Sequence, residues 1–307
     1  FYGKDASNLE TNNQIINNHI EDFHYRGIVV YYNDAINISS NTVEALENGA
    51  NDTQTGIDIG YCDNGNTIAN NEVLVFGSST NSGLTVYSCS GSSGNEIMVY
   101  NNFVSCHNST GISTGFKISS SDYVNAYYNS VNNACGNTSS KVLYVFNGSN
   151  IRIANNILAN TSATGGYTIY KYGSSNIVVC NLNNLYSAGS YFAFYQTHRS
   201  DLSEWRAYTG FDLISVSVNP LFVSNTDLHA RSSECDGIAN PMPDISTDID
   251  GEPRDASYPD IGADEFTYVA TELSGTYTIG GTNPDFESFA AAKYDLDLLG
   301  ISGPVIF

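Results

Sequence analysis

Apolar and polar residues alternate along most of this chain in short runs, as in Asn150-Ile151-Arg152-Ile153 and Gly83-Leu84-Thr85-Val86. That is the period of a half-buried strand, and the helical period of 3.6 does not appear in these stretches. The runs are rich in Val, Ile, Tyr and Phe and are bounded by Gly, Ser and Asn. Two phrases recur. One is a short strand often opened by Gly: Gly27-Ile28-Val29-Val30, Gly56-Ile57-Asp58-Ile59, Gly83-Leu84-Thr85-Val86 and Gly115-Phe116-Lys117-Ile118, with later copies at Val142–Val145, Tyr167–Tyr170 and Phe192–Tyr195. The other is an Asn, usually the second of a pair, followed by an apolar hop, with that Asn at Asn18, Asn41, Asn71, Asn102, Asn129, Asn156 and Asn184. The steps between these seven are 23, 30, 31, 27, 27 and 28 residues, the spacing of a solenoid.

Short strands at this period, with no helical stretch between them through residue 195, exclude a βαβ sheet and predict an all-β parallel β-helix. Coils stacked at about 4.8 Å would make seven of them a rod about 34 Å long. Asn suits a turn between strands because it tolerates the left-handed backbone region. Stacked Asn amides also bond from coil to coil, so the seven asparagines are predicted to form a ladder.

The pattern breaks after Tyr195. Asp201-Leu202-Ser203-Glu204-Trp205-Arg206 reads as an amphipathic helical turn, Asn219–Val223 returns to strand, and residues 235–266 are rich in Asp, Pro and Gly. The expected organisation is coils over 1–200, closing coils and a cap over 201–266, and a linker over 267–275. Residues 276–307 then read as the opening of a second module: a strand, a helix capped by Asp285, and a strand at Gly303–Phe307. Solenoids need atypical ends, because a last coil otherwise exposes a strand edge and an open core. The chain starts Phe1-Tyr2-Gly3 without Met, so it is expected to open inside one solenoid and close at the entrance of the next, as a segment of a longer array.

Composition narrows the partners. The 307 residues carry a net charge of −21 with only 11 Lys and Arg. Such a chain repels phosphate backbones and anionic lipid heads, which excludes nucleic acid and polybasic membrane binding. No apolar run approaches the ~18 residues of a membrane span.

At this point the closing motifs resemble a known class. Gly251–Arg254 with Asp260-Ile261-Gly262-Ala263-Asp264-Glu265-Phe266 is similar to the tail of right-handed parallel β-helix modules in large secreted bacterial surface proteins. Gly275–Gly281, Pro284-Asp285-Phe286 and Gly303-Pro304-Val305-Ile306-Phe307 resemble the module start of giant adhesin-like proteins of Bacteroidota. With the coils, the resemblance covers nearly the whole chain. It implies export by type IX secretion, an extracellular or cell-surface location, and neighbouring modules of the same chain as partners. The sorting domain of that pathway is not in this sequence.

Candidate chemistry is sparse. Polygalacturonase-like hydrolases of this fold need paired carboxylates, and the sequence has no Asp-Asp pair, no Gly-His-Gly and no Arg-x-Lys. A lyase would need a base near clustered calcium-binding carboxylates, and the coils offer only scattered Arg26, Lys117, Arg152 and Lys171. Asp58 and Lys117, in equivalent places two coils apart, are expected to pair on the surface. His19, His24, His107, His198 and His229 share no phase and read as turn or surface residues. Asp244, Asp248, Asp250 and Gly251 form an Asp-x-Asp-Gly pattern that gathers oxygens around a turn, as calcium loops do, so Ca²⁺ is the cofactor they would take; the alternative is turn capping with Arg254. Tyr32, Tyr61 and Tyr87 follow the second strand in three successive coils; as a stripe they would meet the faces of glycan rings, and otherwise they pack on one another. None of the six Cys forms a CxxC. Cys62 and Cys89 share a phase and are expected to stack, as are Cys106 and Cys135, either as strained disulfides or as a reduced ladder. The expected function is a non-enzymatic stalk or adhesin repeat, with a glycan-binding module and then a polysaccharide lyase or hydrolase as the alternatives.

Overall fold

The alternating runs fold into three parallel sheets, and the chain visits them in turn, once per coil. The structure is a computed structural model that describes all residues except 6, 47–52, 77–78, 108–110, 269–271, 282–283 and 287. The chain divides into two compact units, Phe1–Phe266 and Thr267–Phe307.

In the first unit, the first sheet holds Gln14–Ile16, Asn37–Ser39, Thr67–Ala69, Ile97–Tyr100, Val124–Tyr127, Ile151–Ala154 and Ile177–Asn181. The second holds His19–Phe23, Thr42–Ala45, Glu72–Val75, Phe103–Cys106, Ser130–Asn133, Ile157–Asn160 and Asn184–Ser187. The third holds Arg26–Tyr31, Thr55–Gly60, Asn81–Tyr87, Ser113–Ser119, Lys141–Phe146, Tyr167–Tyr172 and Ala193–Tyr195, and ends on Thr197–Arg199, which folds back antiparallel to Ala193–Tyr195. Every pair between these coils is parallel, and each strand's neighbours are its counterparts one coil away.

Register fills the interior with rows of like residues. Ile38, Ile68, Val99, Ala126 and Ile153 stack in the first sheet, and Val43, Val73, Val104, Val131, Leu158 and Leu185 in the second. Ile57, Leu84, Phe116, Leu143 and Ile169 stack in the third, and all of these are buried. The opening glycines serve this packing. A Cβ on Gly83 would lie 2.2 Å from Val104 Cγ1 and 2.7 Å from the Gly115 carbonyl oxygen, and Gly56 meets Val73 in the same way. Gly is therefore required wherever the facing row of the second sheet presents Val against the third.

Residues 201–266 do not all continue the rod. Helix α1, Leu202–Thr209, closes its end. Asp201 caps the helix by accepting the Glu204 N–H at 2.8 Å, and the Glu204 carboxylate accepts the N–H of Ser200, the residue before the cap, at 2.7 Å. The helix lays the fully buried Trp205 over the open core. From Phe211 to Phe266 the chain forms no strand among the described residues, so the expected closing coils are corrected to a return segment. It turns back along the sixth to fourth coils, where Asn240 meets Tyr128 and Asn155, and Thr247 meets Asn101. The physical reason lies in its composition: a stretch of Asp, Pro and Gly without period two cannot supply a ladder of strand bonds, and its backbone groups are satisfied by side chains instead.

In the second unit, strand Leu273–Thr276 pairs in parallel with Ile301–Ile306, and helix α2, Phe289–Leu299, connects them. The expected linker over 267–275 thus contains the start of a strand. Asp285 does not cap the helix; its carboxylate accepts the Thr278 N–H and Oγ1–H at 2.7 and 2.8 Å. Leu273, Phe286 and Ala292 make the core of this unit.

Candidate functional site

The corner between the first and second sheets carries a continuous ladder of polar side chains. In each coil one residue at positive φ makes the turn: Asn17, Ser40, Asn70, Asn101, Tyr128, Asn155 and Leu182. The residue after it points inward. Asn18, Asn41, Asn71, Asn102, Asn129, Asn156 and Asn183 form a continuous stack in which each Oδ1 accepts both the backbone N–H and the Nδ2–H of the Asn one coil earlier, at 2.9–3.1 Å. The seventh rung is Asn183, not Asn184. The Asn-Asn pair there has slipped by one because Leu182 occupies the left-handed position, and Asn184 begins the next strand opposite Ile157. Asn184 bonds outward instead, to both backbone groups of Val218.

The ladder ends on Asp212, a fully buried carboxylate. It accepts from Asn183 Nδ2 at 3.0 Å, Ser215 Oγ at 2.6 Å, Trp205 Nε1 at 2.9 Å and Cys180 Sγ at 3.1 Å. One group thereby joins the last rung to the capping helix.

The outward residues of the same corner hold the return segment. Asn101 Nδ2 donates to Thr247 O, Tyr128 Oη to Asn240 O, and Asn155 Nδ2 to Asn240 O. Arg254 is buried there, giving Nη2 bonds of 3.0 Å to Asn101 Oδ1, Gly262 O and Ala263 O, and an ion pair of 3.1 Å to Glu265. Its guanidinium carbon sits 4.1 Å from the Tyr128 ring centroid. Gly262, at φ 98°, lies where a Cβ would strike Ile157 and Ser130. Asp260 accepts the Gly237 and Phe266 N–H groups at 2.6 and 2.7 Å, yet burial pushes its carboxyl up to about 7.

All six cysteines are buried thiols. Cys62 and Cys89 occupy the second corner, after the third sheet, as acceptors in a shorter ladder: the Cys62 N–H points to Cys89 Sγ at 3.4 Å and the Cys89 N–H to Ser121 Oγ at 3.1 Å. Cys106 and Cys135 do not share a register; the partner of Cys106 is Asn133. Burial pushes the Cys89, Cys106 and Cys180 thiols up, which makes them unreactive.

The expected tyrosine stripe is a packed cluster. Tyr32 and Tyr61 sit at left-handed turn positions and stack face to face at 5.1 Å and 13°. Tyr87 belongs to the preceding strand position, paired with Gly60, and meets Tyr61 edge-on at 5.2 Å. The Tyr31 hydroxyl donates to Asp58 at 2.6 Å and accepts from Arg26 at 2.8 Å, while Arg26 pairs with Asp58 at 3.2 Å. Asp58 is thus committed to Arg26 rather than to Lys117, because Thr85 stands between their registers. Farther along, register makes an aromatic row that was not apparent in the sequence. Tyr144, Tyr170 and Phe194 align on the outer face of the third sheet, Tyr170 and Phe194 stack at 4.3 Å, and Lys141 Nζ lies 5.0 Å from the Tyr170 centroid. Phe146 and the half-exposed Tyr172 stack beside them at 5.9 Å.

The trio Asp244, Asp248 and Asp250 is not brought together. Asp248 is fully buried, and its two oxygens accept the N–H groups of Asp250, Glu252 and Glu265. It organises the turn. Asp250 turns instead to His229, whose Nε2 lies 2.9 Å from Asp250 Oδ2, while Nδ1 lies 2.5 Å from Asp227 Oδ1. Asp264 completes this cluster, and the donor atoms of His229, Asp250 and Asp264 lie within 4.8 Å of one another. The hydrogen bond to Asp227, joined by the one to Asp250, pushes His229 up to about 10. Burial pushes Asp264 up to about 6. His229 shares no phase with the coils, so the repeat did not expose it; its only signal was Asp227 two residues before it.

Stacked three-sheet coils with an inward amide ladder define a right-handed parallel β-helix. No protein-family model matches the chain, and no curated protein matches it.

Proposed function

We propose that this chain is a rigid structural segment of a large extracellular surface protein, non-catalytic, and that it spaces and presents what is attached to it. The observation that carries the reading is the amide ladder, continuous from Asn18 to Asn183 beside three sheets that share its axis. Each coil is locked to the next by strand bonds on three sides and by two bonds per rung at the corner. Bending the rod therefore has to stretch one sheet while compressing the others. Length then grows by repetition, at about 4.8 Å per coil. The net charge of −21 and the resemblance of the closing motifs to bacterial surface modules support the extracellular placement. In this reading the partners are neighbouring modules of the same chain.

The test is antibody labelling of intact cells that produce the parent protein, combined with electron microscopy of variants lacking two coils. Surface labelling and a projection shortened by about 10 Å are expected. An antigen reached only after lysis would overturn the extracellular reading, and an unchanged projection the spacing one.

A second reading has its own observation. The row of Tyr144, Tyr170 and Phe194, with Tyr172 half exposed beside it, offers ring faces and edges on a flat sheet to a glycan chain. A glycan array with the wild type and Tyr172→Ala tests it; binding lost in the variant supports the reading, and absence of binding ends it.

A further inference from the structure

The cluster at His229 belongs neither to the ladder nor to the aromatic face. It gathers three separated stretches of the return segment, around His229, Asp250 and Asp264, over coil residue Phe103. We propose that His229 Nε2, Asp250 and Asp264 bind a divalent transition-metal cation of the zinc type, which staples the return segment to itself.

Four observations carry this. The donor atoms already lie within 4.8 Å of one another, and the ligands of a tetrahedral zinc stand about 3.3 Å apart at Zn–N and Zn–O distances near 2.0–2.1 Å. A contraction of at most about 1.5 Å therefore brings the three donors to that spacing. Asp264 is only 7% exposed and accepts no hydrogen bond from any described residue, although its oxygen faces the other two donors. The nearby positive charge that a buried carboxylate calls for now comes from His229 and Arg254, and a cation among the three donors would supply it directly. Asp227 occupies Nδ1 at 2.5 Å, which orients the ring, the arrangement usual behind metal-bound imidazoles, and at Nε2 the cation would replace the proton now shared with Asp250 Oδ2 at 2.9 Å. Finally, the ring is held edge-on against Phe103, with centroids 4.9 Å apart at 80°. The nitrogen donor selects the metal class: Ca²⁺ takes oxygen shells of six to eight ligands, whereas an imidazole with two carboxylates suits zinc and its neighbours. His229 is half-buried and Asp250 exposed, so the cation has a way in. Three protein donors leave one tetrahedral position for water.

The whole chain, stripped with a chelator, is titrated with Zn²⁺ by calorimetry and with Co²⁺ by visible absorption. One tight equivalent is expected, with ligand-field bands of a low-coordinate Co²⁺ site and a melting temperature raised by Zn²⁺. Asp264→Asn and His229→Gln are expected to weaken that equivalent at least ~100-fold, beyond the loss of an outer-shell partner. Should Asp264→Asn fail to fold, Asp250→Asn, at an exposed position, carries the same expectation. Equal Zn²⁺ affinity in wild type and variants would assign the ion to the acidic surface and overturn the proposal, as would absence of binding or equally tight binding of Ca²⁺.

Discussion

Replacing Asn129 with Ala removes one internal rung of the ladder. Its Oδ1 accepts Asn102 N–H and Nδ2–H at 3.1 and 2.9 Å, and its Nδ2 donates to Val99 O at 2.9 Å, Tyr127 O at 3.1 Å and Asn156 Oδ1 at 3.0 Å. Alanine leaves the Asn102 backbone N–H with no acceptor, in a corner where Asn102 and Asn129 are almost wholly buried. The Val99 carbonyl loses its side-chain donor, while Asn102 Nδ2 keeps Ile68 O and Tyr100 O and the Tyr127 carbonyl keeps the Asn101 N–H. One buried orphan costs about 1–3 kcal/mol, a sizeable share of a domain stability of about 5–15 kcal/mol. Asn18→Ala supplies the contrast. Asn18 is the exposed first rung, where water replaces the lost partner, and its loss should stay near or below about 1 kcal/mol. Urea unfolding followed by circular dichroism and by Trp205 fluorescence measures both. If the two substitutions cost the same, or Asn129→Ala costs less than about 1 kcal/mol, the ladder does not hold the coils together as argued.

Three further outcomes follow from other parts of the first unit. Gly83→Ala should destabilise by about 1–3 kcal/mol or more, because the new Cβ meets Val104 and the Gly115 carbonyl; a neutral result in denaturant unfolding would contradict the packing described. Arg254→Ala breaks a buried ion pair and three further bonds, at a cost of about 3–5 kcal/mol. Hydrogen exchange should then show lost protection in residues 240–265 with the coils at Asn71 and Asn102 still protected, and equal loss everywhere would refute a separately docked segment. Asp260, whose carboxyl stands at about 7 against an ordinary 3.8, binds its proton more tightly when folded. Its contribution is therefore complete below about pH 3.8 and is lost as pH rises through 7. Melting in chelator should be higher at pH 5 than at pH 8, and Asp260→Asn should flatten that difference; a wild type that gains stability over this range, with the variant unchanged, would show that other groups dominate.

The solenoid was legible because the repeat writes the same physical requirement once per coil. Every turn between the first two sheets needs a residue that tolerates left-handed φ, then an inward amide, and Asn answers both demands. The ambiguity came from the same source. Where two asparagines adjoin, composition does not say which one turns the chain, and at Leu182-Asn183-Asn184 the pair shifted by one residue. Tyr87 shows the same limit, since one residue of offset separates a turn position from a strand position. The His229 cluster was hidden for a different reason. Its members lie 21 and 14 residues apart along the chain, at 229, 250 and 264, in a segment without a period, so only the way that segment folds back brings them together.

The amino-acid order by itself therefore determined the parallel coils, their period, the recurring ladder asparagines and the glycines that open strands, because each of these is a demand repeated at fixed spacing. Tertiary structure alone decided what happens at the edges. It turned residues 211–266 back along the coils, ended the ladder on Asp212, and set Asp264 against His229. Those outcomes depend on which backbone and side-chain groups remain unsatisfied once the coils have stacked, and no stretch of sequence carries that information until the stack exists.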